Sequence, residues 1–370
     1  MRVLLVDLET AWRGGQSQAL LLLRGLRARG HAAELLSVRG AALAQRALAQ
    51  GIPVHRTAPT FRRANAARLL RQLLRERHVD VVYANEAHAL TAAWLARAHR
   101  AAPLVAARRV LFPLSRGRLS RARYRAAARI LAISQAVRSE LLAAGLDPAR
   151  LEVIPDGVEL APRISPEERS RARRQWGIAA DEPAAAYVAS LTTEKGHALL
   201  LDAFAELRRA VPRCRLLLAG SGPLQKSLEE TARRANLLPA VRFAGFVEDL
   251  RSVYAACDIF LFPSLREGLG SSLLSAMGCA LPVVALASGG VAEAVEDGRN
   301  GLLVREPAPA LFAAAAARLL NDTVLARRLG EAASETVAAR FSADGMIEAT
   351  LRVFERLVTG PSGAPGRFST

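Results

Sequence analysis

The chain alternates short apolar runs with amphipathic segments, and this alternation occurs twice. Apolar runs that predict strands in the first half cover residues 2–8, 32–38, 80–85, 103–108, 129–134 and 151–158. Those in the second half cover residues 184–191, 215–221, 241–246, 259–264, 282–286 and 301–304. Helical spacing separates them, as over 16–29, 196–210, 223–235 and 308–320. Strands that alternate with helices indicate an α/β fold with parallel sheets covered on both faces.

The stretch ELAPRISPEERSRARRQWGIAADEP (159–183) lies between the two series, and its prolines and dense charge predict a linker. We therefore predict two doubly wound, Rossmann-like parallel-sheet domains, over 1–163 and 164–340, that face each other across a ligand-binding cleft. The last helices are expected over 323–340 and 343–358, with the segment 341–358 packing back toward the first domain. The tail TGPSGAPGRFST (359–370) is predicted to be disordered.

Charge is distributed unevenly between the two halves. The net charge is +17 over 370 residues; residues 1–160 hold 26 arginines against 11 carboxylates, and residues 161–370 hold 25 basic against 23 acidic residues. The basic first half predicts an anionic partner. A general preference for arginine is the alternative. It explains why Lys195 and Lys226 are the only lysines, but it does not explain the asymmetry.

Cysteine usage and hydropathy bear on the compartment. Cys214, Cys257 and Cys279 are odd in number and lack metal-ligand spacing, so we expect reduced thiols in a cytoplasmic protein. The opening MRVLLVDLE has the pattern of a strand and not of a secretory leader. An uncharged span, 268–292, is long enough to cross a bilayer. It contains a proline and several glycines and serines, so we predict a turn, a helix, a strand and a loop there.

The loops after the predicted strands carry the candidate chemistry, because ligands of parallel sheets bind beyond the carboxyl ends of the strands. Gly14 and Gly15 follow the first strand and precede a helix, where bare backbone N–H groups can meet a phosphate. A Gly-Gly turn is common, so this signal is weak alone. The three-glycine dinucleotide fingerprint is absent from this loop, which argues against a dehydrogenase.

Four loops of the second half are expected on one sheet edge. They contain Lys195 in SLTTEKG, Gly220 and Gly222 in AGSGP, Phe246 in GFVED, and Glu267 in EGLGSS. A lysine, free amides and a helix N-terminus suit a diphosphate. A carboxylate would repel phosphate, so Glu267 suits sugar hydroxyls instead. The alternative is that Glu267 merely caps the helix that follows.

Long segments of the sequence resemble a known enzyme family. RFAGFVEDLRSVYAACDIFLFPSLREGLGSSLLSAMGCALPVVALASGGVAEAVEDGRNGLLV (242–304), EKGHALLLDAF (194–204) and LLLAGSGPLQKSLEE (216–230) resemble the donor half of the retaining glycosyltransferases of family 4, which have the GT-B fold. ILAISQAVRSELLAAGLDPARLEVIPDGVE (130–159) and WRGGQSQALLLLRGLRARGH (12–31) resemble the acceptor half. The resemblance implies transfer of a sugar from a nucleotide-diphosphate donor with retention of anomeric configuration.

The resemblance also implies roles for residues. Lys195 would neutralise the diphosphate leaving group and Glu267 would bind donor-sugar hydroxyls, so these two are the predicted catalytic residues. Gly14 and Gly15 would approach the donor phosphate and the acceptor. The predicted donor-binding residues are Gly14, Gly15, Gly220, Gly222, Phe246, Gly268, Leu269, Gly270, Ser271 and Ser275.

Three positions depart from the family pattern. Ser275 stands where the family has a second glutamate that contacts the ribose, and Ala189-Ser190 stand where it often has Gly-Arg. Arg108 and Arg109 occupy the region of a frequent first-domain histidine. These two arginines and His88 are the candidates for the acceptor side of the cleft. A packing or surface role is the alternative for His88.

The sequence contains no Asp-x-Asp pair, the usual carboxylate cradle for a metal-bound diphosphate. We therefore predict a metal-independent mechanism in which fixed positive groups stabilise the leaving group. No metal and no cofactor are expected; the nucleotide-diphosphate sugar is a co-substrate.

The segment SRGRLSRARYRAAAR (115–129) holds six arginines and Tyr124, and predicts contact with an anionic membrane surface or a phosphorylated acceptor. A solvated helix face is the alternative. No nucleic-acid partner is expected, because no binding motif is recognised and aromatic residues are few. Together these observations predict a peripheral enzyme on the inner face of the cell membrane, acting on a lipid-linked or cell-surface glycan acceptor of the lipopolysaccharide type. A nucleotide-sugar epimerase and a non-catalytic relative are the alternatives.

Overall fold

The structure is a computed structural model that describes residues 1–114, 117–160 and 162–360. The chain divides into two compact units: Met1–Gly157 together with the residues from Ala343 onward, and Val158–Ser342. The predicted boundaries lay at 163/164 and 340/341, a few residues from those of the structure. The predicted disordered tail falls, beyond Gly360, outside the described residues.

The first unit is built on a parallel sheet. Its seven strands within the described ranges are β1 (Arg2–Asp7), β2 (Ala32–Val38), β3 (Val54–Thr57), β4 (Val81–Ala84), β5 (Leu104–Arg108), β6 (Arg129–Ala132) and β7 (Leu151–Val153). They lie in the order β3-β2-β1-β4-β5-β6-β7, and all pairs are parallel. β3 was not predicted, because its sequence VHRT has no apolar alternation and only its last residue is buried.

Helices cover this sheet. They are α1 (Gly14–Ala28), α2 (Ala42–Ala49), α3 (Arg62–Glu76), α4 (Ala87–Leu95), α5 (Arg118–Arg125), α6 (Gln135–Ala143) and, from the end of the chain, α15 (Ala343–Thr359). α15 packs on α1 at Gly25, where a Cβ would come within 2.3 Å of Ile347 Cδ1. The fully buried Phe354 meets Tyr83 of β4 edge to face, with ring centroids 5.9 Å apart. The last helix therefore belongs to the core of the first unit.

The second unit repeats the architecture. The strands that the structure describes in it are β8 (Ala184–Val188), β9 (Arg215–Ala219), β10 (Val241–Gly245), β11 (Ile259–Phe262), β12 (Val283–Leu286) and β13 (Leu302–Val304). Their order is β10-β9-β8-β11-β12-β13, again parallel throughout. The helices are α7 (Pro166–Trp176), α8 (His197–Ala210), α9 (Gln225–Arg234), α10 (Leu250–Ala256), α11 (Ser271–Gly278), α12 (Val291–Ala294), α13 (Pro309–Asn321) and α14 (Thr323–Arg340). Two doubly wound parallel sheets, as predicted, are confirmed.

Eleven residues of the predicted linker form the helix α7. Ser165 caps the N-terminus of α7 by accepting a hydrogen bond from the Glu168 N–H, and Pro166 occupies the first turn. Gly177 ends the helix in the left-handed conformation, with φ +68°. A capped helix therefore lies inside the stretch that was predicted as a linker.

The structure describes the three cysteines and the apolar character of the helices. Cys214, Cys257 and Cys279 are free, and burial raises the pKa of Cys214 to about 12, which keeps that thiol protonated. None of the helices in the described part of the chain combines the length and the apolar character needed to cross a membrane.

Candidate functional site

Each sheet has one point where the strand order reverses, and several of the candidate residues lie beside it. In the first unit the reversal lies between β1 and β4, and in the second between β8 and β11. At such a point the loops leaving two neighbouring strands diverge to opposite faces of the sheet and leave a crevice at its carboxyl edge. The loops after β1 and β4 carry Gly15 and Asn85, and the loops after β8 and β11 carry Lys195 and Glu267.

Lys195 and Glu267 form an ion pair in the second unit. The Lys195 Nζ lies 2.6 Å from the Glu267 Oε2, and their side chains are 21% and 13% exposed. The sequence assigned them separate tasks, one toward phosphate and one toward hydroxyls. The structure adds that each is the other's charge partner, so any anionic ligand that binds Lys195 has to share or replace this contact. Forming such a partly desolvated pair costs solvation free energy of both charged groups.

Buried groups fix the position of the pair. The hydroxyl of Ser264, which is fully buried, donates to the Glu267 Oε2 at 3.0 Å, and the Gly290 N–H donates to the Glu267 carbonyl at 3.1 Å. The Tyr187 hydroxyl donates to the Lys195 carbonyl at 2.7 Å. Both charged residues are thus anchored through neighbouring strands, which limits their freedom before a ligand arrives.

Three glycines let the site loops pack backbone against backbone. A Cβ on Gly220, at φ +143°, would lie 1.8 Å from the Ala189 carbonyl oxygen. On Gly196, at φ +69°, it would lie 2.1 Å from the Pro263 carbonyl oxygen, and on Gly222 it would lie 2.5 Å from that of Leu191. Only glycine fits these contacts. The predicted donor-site glycines Gly220 and Gly222 therefore shape the loop after β8 as well as their own turn.

The EGLGSS turn begins α11. Gly270 is its N-cap with φ +101°, and a Cβ there would lie 2.9 Å from the Phe262 ring. Leu269 is 1% exposed, so its side chain belongs to the core and only its backbone can serve a ligand. Ser271 begins the helix, and the Ser275 hydroxyl donates to the Ser271 carbonyl at 3.0 Å.

The remaining donor-side candidates lie in neighbouring loops. Phe246 follows β10 and is 54% exposed, although it is a large apolar residue. Ser190 accepts, through its carbonyl, a 3.0 Å hydrogen bond from the Nε2 of the buried His197. Burial lowers the pKa of this histidine, which favours the neutral ring. The His197 side chain is therefore held by its hydrogen bond to the Ser190 carbonyl, and it supports the loop that precedes Lys195.

The Gly14-Gly15 turn in the first unit is anchored by a buried carboxylate. Asn85 Nδ2 donates to the Gly15 carbonyl at 3.1 Å and to Asp7 Oδ2 at 2.7 Å, and Gln16 Nε2 donates to the same oxygen at 3.0 Å. Asp7 is fully buried, and this burial raises its pKa. The network holds the first turn of α1 against β4, so the N–H groups of that turn keep one orientation.

The two candidate arginines have different surroundings. Arg109 donates from Nε to Asp156 at 2.9 Å and from Nη1 to the Asn85 side chain at 2.7 Å. Its stem passes beneath Gly15, where a Cβ would lie 3.8 Å from the Arg109 Cδ. Arg108 donates instead to the Phe112 carbonyl and to the Tyr124 hydroxyl. Both guanidinium groups are therefore engaged inside the first unit, and Arg109 supports the glycine turn.

His88 lies in a polar cluster at the ends of β1 and β4. Its Nε2 is 3.6 Å from Glu9 Oε1, and its side chain is 38% exposed. Glu86 caps α4 by accepting hydrogen bonds from the N–H groups of His88 and Ala89, and it also accepts one from Leu8. Burial, and then the nearby Asp7, raise the pKa of Glu86 to about 7. Glu9, Glu86 and His88 bring one ligand atom each within 4.8 Å of one another, a spacing that a metal ion could bridge.

Sequence reasoning missed several supporting residues. Ser264 precedes Glu267 by three positions within the same loop, a spacing that could have drawn notice. Tyr187 and His197 lie in apolar surroundings, with ring centroids 5.0 Å apart, and nothing in the sequence distinguishes them from core residues. Asp156 lies 47 residues from Arg109, and only the fold shows that they pair.

Family models of glycosyltransferases match both halves of the chain. Residues 12–161 match the model of Glycosyltransferase Family 4, and residues 168–336 match that of Glycosyl transferases group 1. A D-inositol 3-phosphate glycosyltransferase of Kineococcus radiotolerans is 36% identical over 253 residues, which is 63% of this chain and 58% of that protein. One of Geodermatophilus obscurus is 32% identical over 304 residues, 75% of this chain and 66% of that protein.

The chain spans about half the length of the first curated relatives it matches, 48 to 58%. Among solved structures, Anabaena Alr3699/HepE in complex with UDP and glucose superposes with a TM-score of 0.83 at 25% identity, covering 96% of this chain and all of that one. A glycosyltransferase of Rickettsia africae has the same fold, with a TM-score of 0.84 at 21% identity and coverage of 97% and 99%. The chain therefore belongs to the family 4 glycosyltransferases of the GT-B fold.

Proposed function

We propose that this protein is a retaining, metal-independent glycosyltransferase that moves a sugar from a nucleotide-diphosphate sugar to a lipid-linked or cell-surface glycan acceptor of the lipopolysaccharide type. The observation that carries the proposal is the Lys195–Glu267 pair beside the N-terminus of α11, at the reversal point of the second sheet. A relative in complex with UDP and glucose supports a nucleotide-sugar donor.

The chemistry assigned to the pair follows from charge. When the bond between the anomeric carbon and the diphosphate breaks, negative charge grows on the leaving oxygen, which Lys195 and the backbone N–H groups at the start of α11 stabilise. Glu267 accepts hydrogen bonds from sugar hydroxyls and orients the ring. The acceptor oxygen bonds to the same face of the anomeric carbon, and its proton passes to the departing diphosphate.

Metal independence is part of the proposal. A lysine supplies the positive charge at the predicted diphosphate site, and the sequence contains no Asp-x-Asp pair. Among the described residues, Glu9, Glu86 and His88 form the cluster at which a catalytic cation would contradict metal independence. In the proposal these groups serve α4 and the loop after β1, and activity persists in a chelator.

The acceptor side is assigned by charge. The arginine excess of residues 1–160 supports an anionic acceptor, and α5 carries arginines of the segment predicted to meet an anionic membrane. Residues 115 and 116 of that segment lie outside the described residues. A peripheral, cytoplasmic position on the inner face of the membrane and the absence of a nucleic-acid partner remain part of this proposal.

Methanol as a small acceptor tests the reaction without knowledge of the natural one. The protein is incubated with UDP-glucose, GDP-mannose or ADP-glucose in a chelator, and the products are identified by proton NMR. Retention predicts an α-methyl glycoside from these α-linked donors, and Glu267→Gln and Lys195→Met remove it. Lys226→Met and Glu306→Gln change exposed residues of the same types and serve as matched controls.

Each alternative gives a different result. A nucleotide sugar isomerised without any acceptor would identify an epimerase. Donor-dependent thermal stabilisation without either product would identify a non-catalytic relative. A β-methyl glycoside would refute retention, and activity that appears only with added Mg²⁺ or Mn²⁺ would refute metal independence.

A further inference from the structure

A basic groove lies in the first unit, away from the residues described above. It has a volume of about 880 Å³ and is lined by the C-terminal part of α3, the end of α4 and the turn at 97–101. α3 and α4 each run from the carboxyl end of one strand back to the amino end of the next, so their C-termini lie at the amino edge of the sheet. Gly15, Asn85 and Glu86 lie at the opposite edge.

Positive charge dominates the lining of this basic groove. The charged or titratable side chains in it are Arg71, Arg75, Arg97, His99 and Arg100, and no carboxylate lines it. The nearest acid along α3, Glu76, accepts a hydrogen bond from Gln72 on the exposed helix surface. Burial lowers the pKa of His99, and the charges of Arg100 and Arg97 lower it further. The arginines therefore create a positive potential that the lining does not neutralise.

Within the described residues, most of these guanidinium groups have no protein partner. Arg71 donates from Nη2 to the Leu95 carbonyl at 2.8 Å and so joins α3 to the end of α4. The side chains of Arg75, Arg97 and Arg100 make no hydrogen bond or ion pair in the part of the chain that the structure describes. His99 Nδ1 is buried there without a hydrogen-bond partner. The groove thus presents three solvent-exposed guanidinium groups that no described protein acceptor occupies.

Arg97 takes a backbone conformation that favours glycine. It follows the C-cap of α4 with φ +56° and ψ +34°, the left-handed position at which helices commonly end in glycine. An arginine costs backbone free energy there. An arginine therefore occupies a position at which glycine would cost less backbone free energy.

Apolar side chains lie among the arginines. Trp94 and Leu74 line the groove, and Leu95 is 43% exposed. Tryptophan with arginine is typical of surfaces that sit at the boundary between lipid and water, where the ring contacts the acyl region and guanidinium groups bind phosphates.

We propose that this groove binds the phosphate head groups of an anionic membrane, with Trp94 and Leu95 contacting the lipid interface and Arg75, Arg97 and Arg100 contacting head-group phosphates. The surface is distinct from the 115–129 segment and from the donor site. The inference rests on the peripheral membrane position that belongs to the proposed function and deepens it, and lipid binding and donor binding are measured separately.

Vesicle sedimentation tests the proposal with the full chain. The probes are vesicles of phosphatidylcholine alone and of phosphatidylcholine mixed with phosphatidylglycerol, at low salt. Arg97→Gln/Arg100→Gln is expected to weaken binding to the anionic vesicles by about 25-fold, since each arginine near a charged surface contributes about fivefold. Arg327→Gln/Arg328→Gln removes two exposed arginines of α14 and is expected to change binding less than about threefold. Unchanged melting temperature shows that both variants are folded.

Fluorescence quenching locates the contact. The chain has three tryptophans, so Trp12→Phe/Trp176→Phe leaves Trp94 alone and Trp12→Phe/Trp94→Phe leaves Trp176 alone. Brominated phosphatidylglycerol is expected to quench Trp94 and to leave Trp176 unquenched.

Four results would overturn the proposal. The first is that the wild type does not bind anionic vesicles, and the second is that it binds vesicles with and without phosphatidylglycerol equally. The third is that the groove variant Arg97→Gln/Arg100→Gln binds as well as the wild type. The fourth is that binding is lost only in Arg121→Gln/Arg125→Gln, which changes the 115–129 segment. Loss of oligonucleotide or glycerol 3-phosphate binding in the groove variant, with vesicle binding unchanged, would identify a soluble anion as the occupant instead.

Discussion

Neutralising Lys195 or Glu267 alone is expected to destabilise the second unit even without a ligand. Lys195→Met leaves the Glu267 carboxylate with the Ser264 hydroxyl as its remaining described side-chain donor, and Glu267→Gln leaves the ammonium group without its carboxylate. Exposed pairs contribute about 0.2–1 kcal/mol, whereas breaking a buried pair costs about 3–5 kcal/mol. With exposures of 21% and 13%, the pair lies between these limits, and each single change is expected to cost about 2 kcal/mol.

The double variant separates the pair from its surroundings. Lys195→Met/Glu267→Gln removes both charges, so its cost is expected to fall short of the sum of the singles by about 1–2 kcal/mol. The exposed pair of Arg213 and Asp181, 2.7 Å apart with side chains 62% and 67% exposed, is the matched control. Its coupling energy, from Arg213→Met and Asp181→Asn, is expected below about 1 kcal/mol.

Urea denaturation measures these energies. A Trp12→Phe/Trp94→Phe background leaves Trp176 of α7 as a reporter of the second unit. The midpoint falls in each single variant while the m-value stays constant. For a unit of this size, the same loss lowers the melting temperature by about 4–8 °C. Additive single costs, or a coupling no larger than that of the exposed control pair, would refute the view that the pair is a preorganised element of the site.

Two further changes test parts of the fold beside the candidate sites. Gly220→Ala places a Cβ 1.8 Å from the Ala189 carbonyl oxygen at φ +143°, and it is expected to lower the free energy of unfolding by more than about 3 kcal/mol. The control Gly298→Ala, at φ +71° with open space around it, is expected to lower it by about 1 kcal/mol. Equal melting temperatures of the two variants would contradict this. Burial raises the pKa of Glu86 from its ordinary value of 4.5 to about 7, so the folded state keeps a proton that the unfolded chain has already released. The free energy of unfolding therefore falls as the pH rises from 4.5 to about 7. Glu86→Gln is expected to remove about 2 kcal/mol of that fall, allowing for partial exposure. Urea unfolding at about pH 5 and pH 7.5 measures it, and a loss of free energy of unfolding between these pH values that is as large in the variant as in the wild type would contradict it.

Periodicity predicted most strands because buried parallel strands are continuous apolar runs. β8 and β11, at the reversal point of the second sheet, are buried along their whole length and stand out in the sequence. α7 was taken for a linker because only Ala172 and Arg173 are buried on it, which leaves no apolar stripe. Its Ser-Pro start and glycine end carried the information that hydrophobicity lacked.

The site was predictable to the level of loops and not of contacts. Glycine and charge placement at strand ends identified Lys195 and Glu267, because the carboxyl ends of parallel strands share one edge. That these two residues neutralise each other, and that Arg109 is held by Asp156 beneath Gly15, depends on side-chain packing between distant segments. Sequence patterns do not show which charged side chains pair with each other, because the pairing depends on how distant segments pack in the fold.

Calorimetric titration of a nucleoside diphosphate and of its sugar conjugate tests the central assignment most directly. The base is chosen among UDP, GDP and ADP as that of the best-binding donor. Glu267→Gln is expected to weaken binding of the sugar nucleotide by at least about 10-fold and binding of the free diphosphate by less than about threefold. The reason is that only the sugar nucleotide has sugar hydroxyls that donate hydrogen bonds to the Glu267 carboxylate. Lys195→Met is expected to weaken both ligands. If Glu267→Gln weakens the two ligands equally, or neither, Glu267 does not bind the donor sugar and the account of the site is wrong.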